Sequence, residues 1–215
     1  MQTQSLSDPA PLLQVDQLEI WRGEHRLVHD LSFFARPGDI IHLKGPNGSG
    51  KTSLLRCLAG LSLPDAGTIH WFGQPYANRV GPEARARCRF VGHLDGLKAG
   101  LDVRENLRSL QALNGATGNI DGALAAAGLS SRATVLAQHL SAGQRRRAAL
   151  ARLHLGSADA WLLDEPFTAL DVEAVAQVGT WIADQVIAGG IVILTTHQAL
   201  PAHLKAQEIN LGGNA

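Results

Sequence analysis

An eight-residue run, Gly45-Pro46-Asn47-Gly48-Ser49-Gly50-Lys51-Thr52, constrains this chain more than any other stretch. It fits the spacing G-x-x-x-x-G-K-[ST] and follows a short, largely apolar segment, Asp39 to Lys44, that ends abruptly at the first glycine. A buried strand feeding a glycine-rich loop and then a helix is the context in which this pattern binds phosphate. Gly45, Gly48 and Gly50 let successive backbone N–H groups turn inward around phosphate oxygens with no Cβ in the way. Lys51 brings positive charge to the β and γ phosphates, and the Thr52 hydroxyl can ligate Mg²⁺. Ser53 and its neighbours open a helix whose positive end faces the anion. The bland alternative, a glycine-rich turn with a surface lysine, does not explain the strand and helix on either side.

A second acidic element lies far downstream, in Trp161-Leu162-Leu163-Asp164-Glu165-Pro166. Two carboxylates ending an apolar strand face a crevice rather than a core. Beside a phosphate loop, Asp164 is the candidate Mg²⁺ partner. Glu165, one residue on, is the candidate general base that orients the attacking water. Between the two elements stands Leu140-Ser141-Ala142-Gly143-Gln144. Ser141-x-x-Gln144 is by itself a capping box that starts a helix. A helix start explains Ser and Gln but not the whole string followed by a basic, Ala-rich segment.

The chain is long enough, at 215 residues, for one domain with a sizeable core. Lys plus Arg and Asp plus Glu are equal at 19 each, so no global field favours nucleic acid or acidic lipid. Cys57 and Cys88 lack CxxC spacing and predict neither a disulfide framework nor a zinc site. No apolar stretch reaches the roughly 18 to 20 residues that span a bilayer, and Met1 to Pro9 has no signal-peptide character. These features predict a cytosolic location, with any membrane contact made through a protein partner.

Periodicity predicts a variable lead over residues 1–10 and one domain over 11–215. Its α/β core covers about 11–98 and 158–215, with a helical subdomain over about 99–157 inserted between. Leu12 to Ile20 and Leu27 to Ala35 read as an N-terminal antiparallel hairpin turning at Arg22 to His25. A helix is expected over Ser53 to Leu61, stopped by Pro64-Asp65-Ala66-Gly67. Strands are expected at Thr68 to Phe72, Cys88 to Gly92, Ala160 to Leu163 and Ile191 to Thr196, a helix at Val172 to Ala188, a short helix near Ala199, and a closing segment at Glu208 to Leu211. Strands alternating with helices predict a mainly parallel sheet with its ligand at the carboxyl ends of the strands. Arg145-Arg146-Arg147 and Arg85-x-Arg87-x-Arg89 read as a solvated helix face and a subunit contact rather than a nucleic-acid patch.

In order and spacing these motifs resemble the ATP-binding subunits of ABC transporters, over about Leu12 to Leu211. Leu140 to Gln144 is similar to the family signature, usually Leu-Ser-Gly-Gly-Gln, with Ala142 in place of one glycine. Phe167-Thr168-Ala169-Leu170-Asp171 resembles the D-loop and Thr195-Thr196-His197 the switch histidine. The resemblance implies a P-loop NTPase fold in which two copies sandwich two Mg-ATP. Lys51, Thr52, Asp164, Glu165 and His197 would come from one copy, and Ser141, Gly143, Gln144 and Asp171 would act in trans on the nucleotide of the other. His93 falls where the family's Q-loop glutamine stands, within reach of the metal; a histidine offers only a ring nitrogen, and only while neutral. The aromatic that covers adenine in the family corresponds to Trp21 or Arg22.

Leu-Ser-Ala-Gly-Gln-x-Arg-Arg, Leu-Leu-Asp-Glu-Pro-Phe-Thr-Ala-Leu-Asp and Val91-Gly92-His93 are similar to the haem-exporter branch that serves bacterial cytochrome c maturation. That resemblance implies a peripheral protein on the cytoplasmic face of the inner membrane. Its partners would be an integral permease subunit (CcmB-like) and haem-handling membrane proteins. Another single-cassette exporter ATPase is the alternative within the class. A soluble, non-transport ABC ATPase is the alternative outside it, although such proteins usually carry two cassettes or a long inserted coiled coil.

Overall fold

A computed structural model describes residues 9–75, 86–113 and 115–212. Most of the expected lead, together with Arg85 and Asn114, lies outside the described residues. The chain runs β1 (Leu13–Arg22), β2 (His25–Ala35), β3 (Ile40–Lys44), α1 (Lys51–Leu58), β4 (Ala66–Trp71), β5 (Gln74–Pro75) and β6 (Cys88–Val91). It continues through α2 (Val103–Leu113), α3 (Ile120–Ala126), α4 (Ala142–Leu150), β7 (Ala160–Asp164), α5 (Val172–Ile187), β8 (Ile191–Thr195) and β9 (Gln207–Asn210). Single 3₁₀ turns at Ser130–Arg132, Ala137–His139 and Ala151–His154 connect the middle helices to one another and to β7.

Two sheets result. A parallel sheet has the order β6-β7-β8-β3-β9, and an antiparallel sheet has the order β2-β1-β4-β5. The parallel strands are apolar runs because both faces are covered, as a period of two then assigns alternate residues to two cores. Ile40, Trp161, Leu163, Val192 and Leu194 pack toward α2 to α5. Ile41, Leu43, Leu162, Ile191 and Ile193 pack toward α1 and the antiparallel sheet. The buried Trp71 indole donates to the Leu58 carbonyl over 3.0 Å and ties β4 to the end of α1.

Differences from the sequence reading have local causes. The hairpin turn is tighter than expected, because Arg22 pairs with His25 across the strands and leaves Gly23-Glu24 as the loop. Helix α1 starts at Lys51, straight out of the glycine loop, and its end is set by Gly60 in a left-handed turn (φ 73°), so that Ala66 and Gly67 belong to β4 instead. No helix forms near Ala199: the segment is irregular, and Pro201 disfavours helical backbone at Leu200. Among the described residues no helix is long and apolar enough to cross a membrane.

Two histidines sit inside this fold in forms that disfavour protonation. His154 packs edge-on against Trp181, with centroids 4.5 Å apart and an interplanar angle of 82°. Its Nε2 is buried with no hydrogen-bond partner, and burial pushes its pKa below the usual histidine value. Burial does the same to His42 and outweighs the opposing effect of its bond to the Thr196 carbonyl. Both pKa values are depressed in the folded state, so between folded and unfolded values the unfolded chain binds more protons. Their contribution to stability is therefore whole above about pH 6.5 and is lost as pH falls. The thermal unfolding midpoint should drop between about pH 7.5 and about pH 5.5. His154→Phe, which keeps the edge contact, should shrink that drop; an unchanged slope would remove His154 from the account.

Candidate functional site

The carboxyl ends of β3, β7 and β8 open into one cleft of about 540 Å³. Asn47, Gly48, Gly50, Lys51, Thr52 and Ser53 line it from the loop after β3, with Asp164, Glu165, His93 and His197 opposite. Strand register brings these groups together. Leu43 pairs with Thr195, and Thr195 pairs with Asp164, so the loop after β3 and the end of β7 meet across β8.

Asp164 is buried, at 2% exposure, and bound on both oxygens. The Thr52 hydroxyl donates to its Oδ2 over 2.9 Å, and the Thr195 hydroxyl to its Oδ1 over 2.8 Å. Thr52 and Asp164 thus form a pair of hard oxygen donors at the cleft floor. That set suits Mg²⁺, which is usually held by one or two protein oxygens plus substrate phosphates and water. Among the described residues no cluster of three or more His, Cys, Asp or Glu offers an all-protein metal cage.

The loop is held by contacts of its own. Lys51 Nζ donates to the carbonyls of Gly45 (2.7 Å) and Pro46 (2.9 Å), which holds the ammonium across the loop mouth. Ser49 Oγ is buried without a hydrogen-bond partner, a polar atom that an anion's oxygens would satisfy only through its proton. Gly45 has φ 144°, and a Cβ there would stand 2.6 Å from Ser49 Oγ and closer still to the Leu211 carbonyl. Arg22 and Leu27 line the same cleft, whereas Trp21 is turned away, with its indole donating to Glu19 and Arg26 stacked over its ring. Of the two residues expected to cover adenine, Arg22 is the one that lines the cleft.

Glu165 lies just past the strand, with its side chain 15% exposed and its backbone in the left-handed region (φ 52°). For a non-glycine residue that costs about 1 kcal/mol. Its N–H is held by Thr195, through the carbonyl at 3.2 Å and the hydroxyl at 3.0 Å. His197 approaches the carboxylate twice: Nε2 lies 3.5 Å from Oε1, and the backbone N–H donates to Oε2 over 3.3 Å. His93 is exposed at the cleft edge, directly beyond β6.

The signature residues stay outside this cleft. Ser141 caps α4 by accepting from the Gln144 N–H over 3.2 Å, while Gln144 Oε1 accepts from the Ser141 N–H over 3.0 Å. Gly143 packs on the D-loop, where a Cβ would stand 2.8 Å from the Ala169 carbonyl, so its lack of a side chain already has a purpose within one chain. Asp171 caps α5 by accepting from the Ala174 N–H over 2.8 Å.

The expectation that the arginine runs are solvated fails at two positions. Arg89 and Arg146 are each 3% exposed. Arg89 is spent on the carbonyls of Ala86 and Ser157, and Arg146 on carbonyls at the cleft floor. The signal for Arg146 was present, because it shares a helical stripe with Ala149, Leu150 and Leu153, all buried.

The ABC transporter family profile matches residues 28–168. The chain is 44% identical to the cytochrome c biogenesis ATP-binding export protein CcmA of Nitrosococcus oceani, covering 96% of each chain. It is 48% identical to the protein of the same name from Nitrosomonas europaea, over 89% of this chain and 91% of that one. Among solved structures, a Pyrococcus furiosus protein described as an ABC transporter ATP-binding protein superposes with a TM-score of 0.77 at 23% identity, over 93% of this chain and 96% of that one.

Lys51→Ala should weaken ATP binding by about ten-fold or more, the loss of a charge-assisted contact. Gly45→Ala should weaken it too, by pushing the loop off Leu211. Equilibrium binding of a fluorescent ATP analogue checks both.

Proposed function

Since this chain belongs to the ABC transporter ATP-binding family, we propose that it is the ATP-hydrolysing subunit of a membrane export complex, the one serving cytochrome c biogenesis. The observation that carries the reading is the convergence of Lys51, Thr52, Asp164, Glu165 and His197 on one cleft while Ser141 and Gly143 stand outside it on the rim of another element. A cleft so built binds a triphosphate and stays open on the side away from the loop. A second copy of the chain supplies donors there.

The loop N–H groups and Lys51 bind and orient the β and γ phosphates. Thr52 and Asp164 would hold Mg²⁺, which when bound supplies charge neutralisation between the phosphate oxygens. Glu165 accepts the proton of the water that attacks the γ phosphorus, and His197, beside it, donates toward the γ-phosphate oxygens. Ser141 Oγ and the Gly143 N–H of the second copy cover the γ-phosphate from the far side, at the positive end of α4. Cleavage removes the group that both copies grip, so the closed dimer loses its differential stabilisation and opens. Residues 99–157 move with Ser141 and pass that opening to the permease at the cytoplasmic face of the inner membrane.

Support for the export role comes from the two CcmA relatives named for cytochrome c biogenesis, similar over at least 89% of this chain. Deleting the gene should abolish covalent haem in periplasmic c-type cytochromes, with restoration by the wild-type plasmid and none by Lys51→Ala. Normal haem attachment in the deletion strain would sink the cytochrome role and leave the ATPase intact. For the shared site, Lys51→Ala chains mixed in equal amount with Ser141→Arg chains should regain about a quarter of wild-type turnover, since random pairing makes about half of the dimers hybrids and each hybrid keeps one of two sites intact; no recovery on mixing would argue for sites contained in single chains.

A further inference from the structure

Arg146 stands one turn into α4, and its guanidinium is spent on the ends of two parallel strands. Nη2 donates to the carbonyls of Asp164 (2.7 Å) and Glu165 (2.9 Å), and Nε lies 3.4 Å from that of Pro166. Nη1 donates to the Gly92 carbonyl over 2.8 Å and approaches Asp95 Oδ1 at 3.5 Å. The placement has a geometric reason. The β6–β7 ladder ends at the pair Val91 and Leu163, and the next residue on each strand, Gly92 on one and Asp164 on the other, gives its carbonyl to this guanidinium. One planar fork of donors takes over where the ladder stops.

Burying a guanidinium is expensive unless its donors are filled. Burial is also the leading cause that lowers the basicity of Arg146, with Asp95 acting the other way. The same segment is held a second time, because Arg152 donates from Nη2 to the Asp95 carbonyl and from Nε to that of Ala149 over 2.7 Å. Burial pushes the Arg152 pKa down to about 10. An apolar side chain at position 146 would remove the charge and strand three or four carbonyls.

We propose that Arg146 is a positioning residue for Glu165, fixing the peptide on its carboxyl side so that the left-handed backbone aims the carboxylate into the cleft. Thr195 holds the amide on the other side, so the strained residue is gripped at both peptide planes. Through Gly92 and Asp95 the same guanidinium ties this geometry to the segment carrying His93 and, along α4, to the helix that Ser141 starts. A shift of either element is then felt at Glu165 without passing through the nucleotide. The inference rests on the reading of Glu165 as the general base.

The test is a double-mutant cycle on the full chain, Arg146→Lys with Glu165→Gln, reading kcat and KM for MgATP, affinity for a fluorescent ATP analogue in EDTA, and the thermal midpoint. Lysine keeps the charge but loses the planar fork. Arg146→Lys should lower kcat about ten-fold or more, leave KM and the EDTA affinity within about three-fold, and cost little further when added to Glu165→Gln, because both act on one step. Arg146→Gln, which is shorter, uncharged and has two N–H donors against three on lysine, should lower kcat at least as far as lysine does. Unchanged kcat in Arg146→Lys overturns the proposal, as does full additivity with Glu165→Gln. Parallel loss of EDTA affinity, or failure of both variants to fold, assigns the arginine to structure alone and overturns it equally. If Glu165→Gln itself retains full turnover, the general-base reading fails instead, and the two failures are distinct.

Discussion

A buried carboxylate shared by two threonines organises the molecule. Asp164 accepts from Thr52 at one oxygen and Thr195 at the other, and each donor belongs to a different strand-and-loop unit. The three strands β3, β8 and β7 are in parallel register at that level, so fixing Asp164 fixes the phosphate loop against the acidic strand end. Parallel strands reach this arrangement because all their carboxyl ends lie on one side of the sheet, where the chain leaves the ladder and backbone groups become available to a ligand.

Around that centre the polar groups form a graded series. Asp164 is fully engaged, Glu165 is held at its backbone with its carboxylate toward the cleft, and His197 stays exposed at the rim, its side chain 59% accessible. Arg146 extends the series behind the cleft, since it satisfies carbonyls that the end of the ladder leaves over.

Much of this was legible in the sequence because it depends on local rules. The loop is recognisable since only glycines permit that backbone, and Gly45 faces the Leu211 carbonyl with no room for a Cβ. Strand β7 is recognisable since a strand covered on both faces is apolar until its last residue. The capping box at Ser141 and Gln144 appears as predicted because it involves one turn of one helix. Arg146 was misread because charge suggested solvent, while its helical stripe of Ala149, Leu150 and Leu153 pointed inward. The expected helix near Ala199 failed because Pro201 overrides a weak helical pattern. Trp21 against Arg22 was undecidable from spacing, since adjacent strand residues face opposite sides and only the pairing register says which side holds the cleft.

By itself the sequence singled out the candidate residues: the phosphate loop, the acid pair after an apolar strand, the helix-starting signature and the histidine after the last buried strand. Each is encoded within one turn or one strand, where steric and hydrogen-bonding rules act over a few residues. Only the tertiary structure decided which of them share a cleft. Lys51, Asp164 and His197 meet because β8 lies between β3 and β7, while Ser141 and Gly143 stand apart on α4. Only the fold, likewise, made a surface-looking arginine into the brace behind Glu165, because the need it meets, carbonyls left unpaired where β6 ends and β7 continues, arises when the strands pair.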